Sequence, residues 1–288
     1  MLLNIPFLCA AALIVLKERV NVKIKKLLQE AVMLNMKSVD TVRLSTNSKF
    51  KFKCHKNIDC FTKCCSNIQI MLTPYDIIRL KNRLKLSSGE FLNDHTYVEI
   101  EEKSNYPFVF LKMNEDKDRK CSFVTEVGCS IYDDRPANCR YYPIGQASLK
   151  KKDDTINELI TEEFYFFVKE DHCLGFNEDR EWTIGEWRDD QGVDIYDEMN
   201  RGWKEILFIR NLPGKDFDEK QQKTFYMASY DVDRLRRFVF ESPFLQHFDV
   251  DPAKLEKIKT DEIELMKFGV DYIKFVIGME ETLKLKKK

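Results

Sequence analysis

Residues 54–65 read CHKNIDCFTKCC, and residues 121–143 read CSFVTEVGCSIYDDRPANCRYYP. These two stretches hold seven of the nine cysteines of the chain, and Cys173 follows them. The remaining cysteine, Cys9, lies far from these eight, in an apolar stretch near the start of the chain. Such clustering predicts a thiol-built domain in the middle of the chain.

The composition bounds the class of protein. A chain of 288 residues favours about two domains and is long enough to bury a core without disulfides. Lys plus Arg is 47 and Asp plus Glu is 48, a net charge of -1, which argues against a protein that coats nucleic acid or an anionic membrane. With 33% charged and 43% hydrophobic residues, the sequence is typical of a globular protein.

The N-terminal segment has two interpretations. Residues 1–16 are nearly all apolar, and a basic stretch begins at Lys17. A membrane span needs about 20 residues, so this run is short for one. A secretory signal has a basic region before its apolar run, and none precedes this one. Either translation begins at Met33 or Met36, or residues 1–26 form a weak membrane anchor. Both predict a cytoplasmic protein, held in the second case at the inner face of the membrane. Thiols there stay reduced and usually bind metal.

The domain organisation follows from where the cysteines end. We expect a leader at 1–36, a cysteine-cluster metal-binding domain at 37–185 and a helical C-terminal region at 190–288. The expected fold class is α+β, in which a small irregular cysteine-rich domain with short strands and helices precedes an all-helical region.

Local patterns predict individual elements. Thr73 with Pro74 and Asp76 is typical of a helix start, and Ser87 with Glu90 indicates a second one. The expected strands or extended segments are 37–53, 106–111, 121–124, 129–132 and 162–168. We expect a helical turn between Pro136 and Pro143 and a charged loop at 150–154. Long helices are expected at 195–210, 217–240 and 252–282, the last interrupted at Gly269 or Gly278.

The cysteines predict a soft-metal site, because thiolates bind zinc, iron–sulfur clusters and copper(I). Eight thiols can form two four-thiolate sites, or one cluster with the remainder structural or redox-active. No C-x2-C pair occurs, although such pairs are usual at zinc sites, whereas iron–sulfur ligation tolerates irregular spacing. The pattern favours an iron–sulfur cluster, with zinc as the alternative.

Several residues beside the cysteines are open to two interpretations. His55 and His172 each adjoin a cysteine and are either ligands or solvated loop residues. The side chains of adjacent Cys64 and Cys65 are expected to diverge, so that they serve two sites or two irons of one cluster.

Two arginines also flank Cys139. Arg135 and Arg140 either favour its thiolate or form salt bridges to Asp133 or Asp134.

Four segments together resemble one known family. The first cysteine group, LTPYDIIRL at 72–80, CSF at 121–123 and GCSIYDDRPANCRYYP at 128–143 resemble the YkgJ family of bacterial cysteine-cluster proteins, over roughly residues 50–180. The family's first group is tighter, near C-x2-C-x2-CC, whereas the gaps here are five and three residues. The resemblance implies a zinc- or iron-chelating domain. The metal ligands it implies are Cys54, Cys60, Cys64, Cys65, Cys121, Cys129, Cys139 and Cys173.

Three functions are compatible with these features. The first is a metalloprotein with a thiolate-ligated iron–sulfur cluster, with or without zinc, in redox or protein-modification chemistry. The second is a zinc-stapled interaction module whose helical half binds an unknown protein partner. The third is a protein-modifying enzyme related to the flagellin lysine methylases, which share the broad cysteine pattern; it would need an S-adenosylmethionine site, of which the sequence shows no trace.

Overall fold

The structure is a computed structural model that describes residues 42–102, 104–153, 158–209 and 217–286. Its α-helices are α1 Pro74–Leu84, α2 Ser88–His95, α3 Ala137–Tyr141, α4 Ile184–Gln191, α5 Val193–Ile209, α6 Glu219–Tyr230, α7 Val232–Glu241, α8 Phe244–His247, α9 Pro252–Thr260 and α10 Glu262–Val276. Its strands are β1 Lys49–Lys51, β2 Met71–Leu72, β3 Thr96–Ile100, β4 Pro107–Leu111, β5 Val124–Thr125, β6 Gly128–Cys129, β7 Ile144–Asp153, β8 Glu158–Phe167, β9 Glu181–Thr183, β10 Phe248–Asp249 and β11 Lys284–Leu285. Short 3-10 helices occur at Lys63–Cys65, Tyr132–Asp134 and Gly175–Asn177.

The fold class is α+β, as predicted, with most short strands in the N-terminal part and helices towards the C-terminus. The described residues divide into two units that alternate along the sequence. The first unit comprises 42–69, Val124–Gly128 and Tyr141–Gly192, and the second comprises Ile70–Phe123, Cys129–Arg140 and 193–286. The boundaries at 36 and 185–190 stay predictions.

The first unit is built from two antiparallel strand pairs and the helix α4. β1 pairs with β9, with Phe50 opposite Trp182, and β7 pairs with β8 along their whole length. Aromatic rings fill the core: Trp187 lies 5.4 Å from Phe52 and 5.3 Å from Trp182, ring centre to ring centre, in edge-to-face contacts. The indole N–H of Trp182 donates to the carbonyl oxygen of Phe52 at 2.8 Å. These contacts fix the strand that leads into the first cysteine group.

A glycine also holds that strand in place. A Cβ added to Gly175 would lie 2.5 Å from the ring of Phe52, so the chain can approach the ring only without a side chain. The backbone N–H of Lys53 donates to the Gly175 carbonyl at 3.1 Å. This contact brings the segment around Cys54 beside the segment around Cys173.

The second unit combines a three-stranded antiparallel sheet with the remaining helices. The strand order is β2–β4–β3, and every residue of the central β4 is buried. α10 packs against α1, α5, α6 and α7. Trp203, Phe225 and Tyr230 are among the fully buried side chains of this core. The predicted starts of α1 and α2 are confirmed, since Thr73 with Asp76 and Ser87 with Glu90 form capping boxes.

The two long C-terminal helices are each divided in the structure. The predicted helix at 217–240 is interrupted at Asp231, between α6 and α7, and the one at 252–282 at Asp261, between α9 and α10. Each aspartate caps the following helix with its carboxylate. Of the two positions predicted for the interruption, Gly269 is wrong: this glycine lies inside α10, where a Cβ would be 2.4 Å from the carbonyl oxygen of Ala228. Gly278 is confirmed, since α10 ends at Val276 and Gly278 has a φ of +66°. The short strands β10 and β11 also pair in this region.

Some predicted strands and loops have different bounds. The charged loop predicted at 150–154 is wrong for Lys150–Asp153, which belong to β7 and pair with β8. The hydrogen bonds between strands use the backbone, so a strand can carry charged side chains. The strand predicted at 121–124 is reduced to an isolated bridge between Cys121 and Met113, followed by β5. The segment 129–132 enters β6 and then a 3-10 turn. The strands at 106–111 and 162–168 are confirmed by β4 and β8, and the helical turn before Pro143 by α3.

The predicted leader at 1–36, including Cys9, lies outside the described residues. Within the part of the chain that the structure describes, no helix has both the length and the apolar character needed to cross a membrane.

Candidate metal centre

The first unit gathers five of the predicted ligands, which we call the five-cysteine cluster: Cys54, Cys60, Cys64, Cys65 and Cys173. Cys54 follows β1, and Cys64 and Cys65 lie on the 3-10 turn that ends the first cysteine group. The backbone N–H of Leu174 donates to the sulfur of Cys60 at 3.2 Å, which joins the late cysteine segment to the first group. All five are free thiols.

The thiols of this cluster act on one another electrostatically. Burial raises the pKa of Cys54 to about 11, and the neighbouring Cys64, Cys60 and Cys173 add to that increase. A hydrogen bond between the thiols of Cys64 and Cys65, followed by burial, raises the pKa of Cys64 far above its ordinary value. These adjacent thiols therefore act on each other in the metal-free chain, and their assignment to two sites or to two irons of one cluster stays a prediction. Such thiols stay protonated at neutral pH until a cation compensates their negative charge.

Two further polar groups face the five-cysteine cluster. The buried hydroxyl of Tyr142 makes no regular hydrogen bond, and its polar neighbour is the sulfur of Cys173. The Oε2 atom of Glu170 is also buried without a hydrogen bond, and its carboxylate acts on Cys64. Burial, then the contact with Cys173, raises the pKa of Tyr142. Neither residue is among the ligands predicted from the sequence, although Glu170 lies three positions before Cys173.

The second unit gathers the other three predicted ligands, which we call the three-cysteine cluster: Cys121, Cys129 and Cys139. Cys139 is carried by α3 and Cys129 by β6. Burial raises the pKa of Cys139, and the neighbouring Cys121 and Cys129 raise it further. The structure therefore groups the predicted ligands as five and three within its two units.

A buried carboxylate fixes the helical turn that carries Cys139. Oδ2 of Asp76 accepts from the backbone N–H and the hydroxyl of Thr73, at 2.8 and 2.7 Å. Its Oδ1 accepts from the backbone N–H of Ala137 at 2.9 Å, at the start of α3. Asn138 adds a side-chain hydrogen bond to the carbonyl of Met71 at 3.1 Å. The start of α1 and the start of α3 are thereby joined through one side chain.

Two buried arginines accompany the three-cysteine cluster. Arg135 is 7% exposed, lies over the ring of Tyr132 and donates to that residue's carbonyl at 2.7 Å. Its charge lowers the pKa of Cys129 and of Cys139, against the larger effect of burial. Arg140 donates to the backbone carbonyls of Asp133 and Arg135.

Asp134, which directly precedes Arg135, has another partner. The carboxylate of Asp134 pairs with Arg79 and lies 3.9 Å from Arg83, both on α1. The carboxylate of Asp134 is therefore paired with arginines of α1. Arg140 contacts the backbone of Asp133 and not its carboxylate.

The two candidate histidine ligands pair with glutamates. Nε2 of His55 lies 3.3 Å from Oε2 of Glu178, and Nε2 of His172 lies 3.4 Å from Oε2 of Glu170. Both histidine side chains are about one-third exposed. The geometry thus assigns each a carboxylate neighbour.

The described side chains do not form a preformed coordination shell: within 42–102, 104–153, 158–209 and 217–286, no group of three or more Cys, His, Asp or Glu stands in a geometry that could hold a metal ion. The donor set nevertheless fits a soft cation in kind. Five free thiols, a buried carboxylate oxygen without a donor and a buried hydroxyl lie in one unit. These side chains would have to turn towards a common ion.

Comparison with known proteins identifies the cysteine-rich segment. Residues 53–179 match the family model CxxCxxCC, described as a "putative zinc- or iron-chelating domain". The match includes all eight cysteines of both clusters. No curated protein and no solved structure matches the chain. The comparison supports metal binding by this segment, and the narrower YkgJ assignment stays a prediction.

Proposed function

We propose that this chain is a metal-binding protein whose five-cysteine cluster holds a thiolate-ligated iron–sulfur cluster. The observation that carries the proposal is the gathering of five free thiols in one unit, inside the segment that matches a zinc- or iron-chelating domain. Four of them, Cys54, Cys60, Cys64 and Cys173, act on one another electrostatically, and Cys65 acts on Cys64. Four thiolates complete the ligand set of a common iron–sulfur cluster, so five supply it with one to spare.

The surrounding residues have roles that follow from their contacts. The N–H of Leu174 donates to the sulfur of Cys60, and hydrogen bonds to ligating sulfurs adjust the reduction potential of a cluster. The buried aromatic core around Phe52 and Trp187 supports the segment that leads to Cys54. A bound cluster would supply one-electron redox chemistry.

Zinc is the second candidate, because zinc accepts thiolate and carboxylate ligands together and Glu170 offers a carboxylate beside the thiols. In that case the cluster is a structural staple of an interaction module, and the metal contributes directly to folding. Removing the metal with a chelator would then unfold the first unit.

The test is to measure iron, sulfide and zinc per chain, with a visible spectrum, on the full chain purified without oxygen. Iron with equal sulfide and a brown colour, lost in Cys60→Ser and retained in Cys9→Ser, supports the iron–sulfur proposal. Stoichiometric zinc without iron or sulfide refutes it in favour of the zinc module. A Cys121→Ser variant that loses the same metal as Cys60→Ser would show that the five-cysteine cluster does not act by itself.

A further inference from the structure

The non-cysteine donor of the five-cysteine cluster can be identified from a tight turn. The backbone N–H of Cys173 donates to the carbonyl of Glu170 at 2.8 Å, so residues 170–173 reverse the chain direction. The two side chains therefore lie at the two ends of one turn. Since Cys173 belongs to the five-cysteine cluster, the turn holds the backbone of Glu170 beside that cluster, and the Glu170 carboxylate acts on the thiol of Cys64.

The carboxylate of Glu170 has one basic neighbour, His172, and receives no hydrogen bond at its buried oxygen. Its Oε2 atom is buried and accepts no hydrogen bond. The imidazole of His172 lies 3.4 Å away, and the thiol of Cys64 and the phenol of Tyr142 feel its charge. Leaving a buried polar group without a hydrogen bond costs free energy, and the cost is larger when the group is charged. A cation bound at the thiols would remove that cost.

Other acids of this unit have basic partners too, but their side chains are more exposed than that of Glu170. Asp179 contacts Lys51 at 2.9 Å, Glu181 contacts Lys49 at 2.8 Å, and Glu178 contacts His55 at 3.3 Å. The side chain of Asp179 is 97% exposed, and that of Glu181 is 55% exposed. Glu170 combines a buried oxygen with proximity to a thiol.

We infer that Glu170 supplies an oxygen ligand to the metal of the five-cysteine cluster, an inference that rests on the proposed metal-binding function. The site then has a mixed sulfur and oxygen ligand sphere. Its oxygen donor precedes its last cysteine donor by three residues.

The experiment uses cobalt(II) as a spectroscopic probe and zinc for affinity, on the full chain stripped of metal and fully reduced without oxygen. Glu170→Gln removes the charge and keeps the size of the side chain. The matched control is Glu178→Gln, an equally placed glutamate that contacts a histidine. Glu170→Asp keeps the carboxylate and serves if the glutamine variant does not fold.

We expect Glu170→Gln to keep the thiolate-to-cobalt charge-transfer absorption, to shift the cobalt d–d bands and to bind zinc about 10–100-fold more weakly. Glu178→Gln should match the native chain, and Glu170→Asp should lie between the native chain and Glu170→Gln. A Glu170→Gln chain with native d–d bands and native zinc affinity overturns the inference and leaves the proposed function standing. A native chain without thiolate-to-cobalt absorption refutes the proposed function, and the assignment of Glu170 with it.

Discussion

The carboxylate of Asp76 accepts a hydrogen bond from the backbone N–H of Ala137, with 2.9 Å between Oδ1 and the nitrogen. The two residues are 61 positions apart and belong to two different motifs, LTPYD and RPANC. Asp76 is fully buried, and burial raises the pKa of its carboxyl. One side chain thus caps α1 and fixes α3, which carries Cys139 of the three-cysteine cluster.

Removing this carboxylate should destabilise the second unit strongly. Asp76→Ala leaves two buried backbone N–H groups and the hydroxyl of Thr73 without their acceptor, which should lower the free energy of unfolding by about 3 kcal/mol. Urea unfolding of the metal-free chain measures the loss.

The matched control for Asp76 is Glu90, which completes the equivalent capping box of α2 in solvent. Glu90→Ala should cost much less than Asp76→Ala. Equal losses for both variants would show that capping alone explains the effect and that the link to Ala137 contributes nothing.

Gly269 should tolerate no side chain, although it lies inside a helix. In Gly269→Ala the new Cβ would stand 2.4 Å from the Ala228 carbonyl oxygen and 2.8 Å from a methyl group of Leu235. Because the first of these atoms is backbone, α6 and α10 must separate, which should cost about 2–3 kcal/mol. Thermal unfolding measures it.

Gly89 in α2 is the control for Gly269, since a Cβ there meets nothing within 4 Å. Gly89→Ala should stabilise the chain by about 0.5 kcal/mol, because alanine has the better helix propensity. If Gly269→Ala also stabilises the chain, as Gly89→Ala should, then α6 and α10 do not pack closely at Gly269.

The local elements were predictable from the sequence because their causes are local. A capping box needs only residues three positions apart, and those at Thr73 and Ser87 were identified from that spacing alone. The interruptions at Asp231 and Asp261 were missed because neither position has a proline or glycine, although aspartate is a good N-cap. Glycine is a poor helix former, so Gly269 suggests an interruption of the helix. The reason for a glycine at this position is the close packing of a distant helix, which the local sequence does not show.

The composition of the candidate site depended on contacts that no spacing reveals. The sequence identifies eight thiols, but it does not show that Cys173 returns to the first cysteine group. That return is a tertiary contact: Leu174, the neighbour of Cys173, bonds to Cys60, which lies 114 residues earlier. Glu170 was missed for the same reason: a glutamate beside a histidine is usually a solvated pair, and only the burial of Oε2 distinguishes it.

Acid should remove the stabilisation that Asp233, on α7, provides to the start of α2. Burial alone would raise its pKa, but hydrogen bonds from the backbone and hydroxyl of Ser88, at 2.7 and 3.1 Å, and the charge of Lys81 lower it below the ordinary value. A lowered carboxyl pKa stabilises the fold above the pKa of the unfolded chain. That contribution is lost as the pH falls through the lower pKa of the folded chain.

Asp233→Asn should therefore reduce the free energy of unfolding by about 1 kcal/mol at pH 7, a value discounted for the partial exposure of the group. The difference from the native chain should shrink as the pH falls below the ordinary pKa of aspartate and vanish below the lower pKa of the folded chain. Urea unfolding across this pH range tests it, with the exposed Asp249→Asn as control. A difference that stays constant with pH would contradict the role of the charge.

The charge of Arg135 should control the reactivity of the three-cysteine cluster. Burial raises the pKa of Cys129, while a hydrogen bond from the backbone of Ile131 and the nearby guanidinium of Arg135 lower it. In Arg135→Gln the pKa should rise further, and the thiolate fraction at a given pH should fall, since each pKa unit is a tenfold change below the pKa. We expect alkylation of Cys129 in the metal-free, reduced chain to slow about 3–10-fold.

The pH profile separates this electrostatic role from a structural one. Alkylation of Cys129, followed by mass spectrometry, should give a rate curve displaced to higher pH in Arg135→Gln. Arg135→Lys keeps the charge and should restore most of the rate, and the exposed Arg237→Gln on α7 should match the native chain. A faster rate in Arg135→Gln would mean that the arginine shields the thiol of Cys129 from the reagent. An unchanged pH profile would mean that the charge of Arg135 does not affect the pKa of Cys129.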